Sequence, residues 1–116
     1  MYKIIKIERI LPEVYITITD GTYEFIVFSD SEQFELEKNT EFYAFCATNI
    51  VRSYENKCAV SVTDNITYSQ HIVGKVFDKE NGIVEVGGVK IHIVDYIPGD
   101  ITTGEFIEFD VARIDI

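Results

Sequence analysis

Apolar and polar residues alternate through most of this chain, and a period of two belongs to strands with one buried face rather than to helices. Val14, Ile16 and Ile18 are separated by Tyr15, Thr17 and Thr19, and after Asp20-Gly21 the alternation resumes with Tyr23, Phe25 and Val27. Asp-Gly accepts the left-handed angles of a tight hairpin turn. A two-residue loop there sets Thr19 opposite Thr22, Ile18 opposite Tyr23 and Ile16 opposite Phe25. That register gathers Val14, Ile16, Ile18, Tyr23, Phe25 and Val27 on one face. The other face is polar near the tip, with Thr17, Thr19, Thr22 and Glu24, and apolar toward the base, with Tyr15, Ile26 and Phe28. The strand bases are therefore expected to be buried on both faces.

A second hairpin centres on Gly87-Gly88 and pairs Val86 with Val89, Glu85 with Lys90 and Val84 with Ile91. The opposite charges of Glu85 and Lys90 favour this register, since such a cross-strand pair contributes about 0.2–1 kcal/mol. His92 falls on the face of Lys90 and Glu85, away from the apolar stripe, and is expected to be solvated or half-exposed. Asn81-Gly82 marks a turn after a strand over residues 72–77. Further strands are expected over residues 41–47, 58–63 and 105–116, and the N-terminal cations Lys3, Lys6 and Arg9 read as a solvated strand edge. Ser29 and Glu32 have the spacing of a helix capping box. Phe34 and Leu36 are nevertheless two apart, so residues 29–38 read as an irregular loop or a single turn. Phe25, Phe45, Ile91 and Phe109 are the expected core anchors.

The chain of 116 residues, 47% of them hydrophobic, is long enough for one domain with a real core. Glu41-Phe42-Tyr43-Ala44-Phe45 resembles Glu105-Phe106-Ile107-Glu108-Phe109, each following a hairpin at a similar distance. The match is compatible with an internal repeat of about residues 2–50 and 70–116, whose halves would share one core. In the closing run, Gly104 leads into Glu105-Phe106-Ile107-Glu108-Phe109-Asp110-Val111. The roughly forty residues from Ile72 onward resemble the last strands of small OB-type barrels, in which alternating large apolar residues line the interior. The expectation is a single all-β domain, a small barrel or sandwich of about eight antiparallel strands.

Groups that carry chemistry are sparse. Cys46 and Cys58 sit in apolar strand-like runs without a Cys-x-x-Cys pair, so both are expected to be reduced, buried and unreactive. His71 and His92 are the only histidines. No metal-ligand spacing, nucleophile motif or phosphate loop is present, so neither an enzyme nor a bound cofactor or metal is expected. The first ten residues are too interrupted by charge for a signal-peptide core, and no apolar run approaches the ~20 residues that span a bilayer. A cytoplasmic protein without membrane association is the expectation, and the sequon Asn65-Ile66-Thr67 then carries little meaning.

Charge is the strongest functional cue. Twenty acids face ten Lys and Arg, a formal charge of −10. Such a balance repels phosphate backbones and attracts basic surfaces. Asp30, Glu32, Glu35, Glu37 and Glu41 are accompanied by Lys38 alone. Asp95, Asp100, Glu105, Glu108, Asp110 and Asp115 are accompanied by Arg113 alone. The expectation is a non-enzymatic module that docks a basic protein through Asp30, Glu32, Glu35, Glu37, Glu41, Asp100, Glu105, Glu108 and Asp110. An immunity-type inhibitor of a bacterial toxin has this size and charge. The alternative is an OB-like barrel that binds single-stranded nucleic acid or serves as a structural subunit.

Overall fold

The computed structural model describes residues 3–10, 13–30 and 40–116. Among the described residues eleven strands form: β1 (Lys3–Ile10), β2 (Glu13–Thr19), β3 (Glu24–Ser29), β4 (Phe42–Phe45), β5 (Thr48–Arg52), β6 (Ala59–Val62), β7 (Gln70–Asp78), β8 (Ile83–Val86), β9 (Val89–Ile93), β10 (Phe106–Val111) and β11 (Arg113–Asp115). Among the described residues there is no helix. The strands make one sheet in the order β1, β2, β3, β11, β4, β9, β8, β7, β10, β5, an open path, with β6 added on β7. β10 pairs with one edge of β7, while β6 and β8 share its other edge, at Gln70–Val73 and Lys75–Asp78 respectively.

The all-β expectation holds, while the count of about eight antiparallel strands is corrected to eleven with two parallel pairings. β11 runs parallel to β3, and β4 runs parallel to β9. The additional strands are β1 at the N-terminal edge, β5 and β11. β5 lacks alternation, and Asn49 inside it takes a left-handed φ of 55°. The closing run is split at Ala112, so that β10 pairs with β5 and β7 whereas β11 pairs with β3 and β4. The similar strands β4 and β10 thus have different neighbours.

The sheet curls around one core. Val14, Ile16, Ile18, Phe25, Val27, Phe42, Ile72, Val84, Ile91, Ile107, Phe109 and Ile114 belong to a single buried cluster, joined by Ile97 and Ile101 from the loop before β10. β3 and β7 are five steps apart in the strand order, about 24 Å if the sheet were flat. The buried Gln70 of β7 nevertheless reaches the β3 backbone: its Nε2 donates to Ile26 O and its Oε1 accepts from Ile26 N, both at 2.9 Å. Close packing at Gly74 assists the curl, because a Cβ there would lie 2.6 Å from Val84 Cγ1 and 2.8 Å from Val86 Cγ2.

The Gly87-Gly88 hairpin has the expected register, Val86 with Val89, Glu85 with Lys90 and Val84 with Ile91. The Asp20-Gly21 turn lies where expected, yet Ile18 pairs with Phe25 and Ile16 with Val27. The cause is Asp20, whose Oδ1 accepts the amides of Thr22 and Tyr23 and so widens the loop to four residues. A slip of two residues preserves the faces, and the predicted core side remains buried. Asp20 Oδ2 also accepts Gly88 N at 2.8 Å, which ties the two hairpin tips together.

Burial disfavours the charged form of Asp20, but the amides of Tyr23, Gly88 and Thr22 outweigh it and hold the carboxyl below its ordinary value of 3.8. Its contribution is complete above that value and is lost as pH falls through the lower, folded one. Asp20→Ala is expected to cost about 1–3 kcal/mol in urea unfolding at neutral pH. The gap to wild type should narrow steadily in unfolding curves taken below about pH 3. A gap that does not change with acid would remove the charged carboxylate from the account.

Two burial expectations are corrected at the end of β4 and just after it. Phe42 and Ala44 face the core, which turns Phe45 outward, whereas Phe25, Ile91 and Phe109 are buried as expected. Cys46 is exposed rather than buried, because β4 ends at Phe45 and the chain turns there with φ 55° toward β5. Cys58 is half-buried against the core. In a thiol titration of the native protein, Cys46 should react fast and Cys58 slowly, with the fast phase absent from Cys46→Ser. Equal rates at both thiols would contradict this placement.

Candidate functional site on the outer face of β10

β10 alternates inward Ile107, Phe109 and Val111 with outward Phe106, Glu108 and Asp110. Register sets Asp110 opposite His71, and Glu108 opposite Val73 on β7 and Val51 on β5. His71 Nδ1 lies 2.8 Å from Asp110 Oδ1, and His71 Nε2 lies 4.0 Å from Glu108 Oε1. Asn49 Nδ2 donates to Asp110 Oδ2 at 3.1 Å. The His71 hydrogen bond first, and then that of Asn49, hold the Asp110 carboxyl below the ordinary range. The patch is thus two adjacent carboxylates facing solvent, bordered by the exposed Val51 and by His71.

Ser61 stands opposite His71 on β6, so Ser61, His71 and Asp110 form a row across three strands. Nucleophilic catalysis needs the imidazole nitrogen remote from the aspartate to reach the hydroxyl. Here that nitrogen faces Glu108. The arrangement anchors a charged face and lacks the geometry of a hydroxyl-activating triad.

The other predicted acids occupy different surroundings. Arg52 takes up Glu105 and Asp100: Nε and Nη2 donate to Glu105 Oε1 and Oε2 at 3.2 and 3.3 Å, and Nη2 donates to Asp100 O at 2.7 Å. Thr102 N donates to Glu105 Oε2, and this bond, followed by Arg52, lowers the Glu105 carboxyl. These two acids fasten the loop before β10 to β5. Asp30 is exposed after β3; Glu41 is exposed before β4 and accepts a hydrogen bond from the Tyr43 hydroxyl. Strands β9, β8 and β7 lie between β4 and β10 in the sheet order. Glu32, Glu35 and Glu37, with the rest of residues 31–39, lie outside the described residues.

A second outer surface runs over β7, β8 and β9. Phe106, Lys75, Glu85 and Lys90 form a row across β10, β7, β8 and β9, and Lys90 Nζ sits 4.0 Å above the Phe77 ring. His92, half-exposed as expected, stacks on Tyr43 at 5.1 Å. Sequence reasoning missed His71–Asp110 and the Arg52 clamp, because both depend on registers between strands distant in the chain. No protein-family model matches this chain, and no curated protein or solved structure matches it either.

Proposed function

We propose that the protein is a non-enzymatic binding module whose acidic outer surface at β10 docks a basic protein, as an inhibitor would cover a cationic toxin. The observation that carries this reading is the adjacent pair Glu108 and Asp110 at solvent, with the His71 imidazole beside them. Unlike Asp100 and Glu105, neither is taken up by an arginine. Val51, 51% exposed beside Glu108, offers the apolar anchor that a charged rim by itself does not supply. The net charge of −10 gives the whole molecule attraction for a cationic surface. Exposed Asp30 and Glu41 add to that field from another part of the surface.

In a pull-down from the native host, wild-type bait should retain a basic protein that Glu108→Lys/Asp110→Lys bait loses. Retention of the same protein by both baits would move the docking surface elsewhere, and an acidic partner would refute the reading.

The second reading is an OB-like barrel that binds single-stranded nucleic acid. Phe77 and Phe106 interleaved with Lys75 and Lys90 favour it, because stacking rings and cations on an open sheet face are what such binding needs. The curl stitched by Gln70 and the bend at Ala112 support a barrel-like closure. Glu85 between the two lysines and the overall charge oppose the ligand. Binding of a labelled oligonucleotide at physiological salt, lost on Phe77→Ala, would favour this reading over the first.

A further inference from the structure

We propose that β1 is a self-pairing edge along which two copies of the chain join antiparallel into one continuous sheet. Among the described residues β1 has a ladder partner on one side only, β2, and it ends the strand order. It is eight residues long, and Ile4, Ile5, Ile7 and Ile10 are 39%, 47%, 37% and 56% exposed. Ile4 and Ile7 oppose Ile18 and Ile16, so they lie on the core side of the sheet, yet they stand outside the core cluster. A long edge of this kind leaves backbone donors and acceptors unpaired beside apolar side chains, the arrangement that recruits another strand.

The strand's own sequence selects a second copy as that strand. An antiparallel register centred on Ile7 places Ile7 opposite its counterpart and Lys6 opposite Glu8 of the other copy, twice by symmetry. Ile7 then meets its counterpart on the core side, and opposite charges meet on the solvent side, where Lys6 and Glu8 already pair within one chain. β1 is also a cationic strip in an acidic protein, with Lys3, Lys6 and Arg9 against Glu8, so joining along it keeps the acidic surfaces apart. The contact is isologous and uses the same edge of both copies, so it closes at two. The irregularity between Ile4 and Lys6 limits regular pairing to the strand's second half.

Sedimentation equilibrium from about 1 µM to about 500 µM tests this. The mass should rise from 13.3 kDa toward twice that value. Ile7→Lys should weaken association at least about tenfold by setting two cations opposite each other. Lys6→Glu should weaken it as well, and Lys6→Glu/Glu8→Lys should recover it, with the fold of each variant confirmed by circular dichroism. A mass of 13.3 kDa throughout would overturn the proposal. So would a dimer indifferent to Ile7→Lys, or a folded charge-swapped variant that stays dissociated.

Discussion

Phe109→Ala should lower unfolding free energy by about 3–5 kcal/mol, the range for emptying a buried aromatic site. Phe109 is 0% exposed on the core side of β10, opposite Ile72 of β7. Its removal loses the transfer energy of the ring and leaves a cavity that β7 and β10, held in a long ladder, cannot close. A loss of that size is a large part of the stability of a typical domain. Phe109 also sits between Glu108 and Asp110 in the chain, so loosening it should disorder the proposed docking surface. Urea unfolding measures the first effect, and Phe109→Leu should show a smaller one. A loss below about 1 kcal/mol would mean that the inward face of β10 is misassigned.

Gln70→Leu is expected to cost about 2–4 kcal/mol even though it makes the interior more apolar. Leu has nearly the volume of Gln, so packing changes little, while the N–H and C=O of Ile26 both lose their partner. A backbone group without water or a hydrogen bond costs more than the bond itself contributes. Gln70→Glu should not restore stability fully, because a carboxylate accepts from Ile26 N but has no proton for Ile26 O. Amide exchange at Ile26 should accelerate in both variants. Unchanged stability and exchange in Gln70→Leu would show that the curl does not depend on this contact.

The parts legible in the sequence were those governed by near neighbours. Gly87-Gly88 allowed a tight turn, and the flanking residues then dictated every pair from Val86–Val89 to Val84–Ile91. Alternation assigned the buried faces of β2 and β3 even though Asp20's side chain moved the register by two. At β4 the same alternation was ambiguous, since Phe42 and Phe45 are both large and three apart; the pairing with β9 and β11 turned Phe42 inward. β5 left no periodic signal, because its Ile50 and Val51 are adjacent and Asn49 is left-handed. The Gln70–Ile26 contact spans 44 positions and the His71–Asp110 contact 39, so both follow from tertiary register, which local pattern does not encode.

The acidic character was visible in composition, but its distribution was not. Glu105 and Asp100 looked equivalent to Glu108 and Asp110 until β5 brought Arg52 beside the former pair. Glu108 and Asp110 on the solvent face of β10 are the pair that the proposed docking uses, with exposed Asp30 and Glu41 elsewhere on the surface. Long-range attraction to such a face speeds encounter and fades as salt shortens the Debye length from about 10 Å at 0.1 M to about 3 Å at 1 M. The most direct test is stopped-flow association with the captured basic partner across that salt range, for wild type and for Glu108→Lys/Asp110→Lys. The wild-type on-rate should fall by at least about tenfold with salt, and the double variant should be slow and nearly salt-independent. An on-rate indifferent to salt and unchanged by the double charge reversal would contradict the proposed docking.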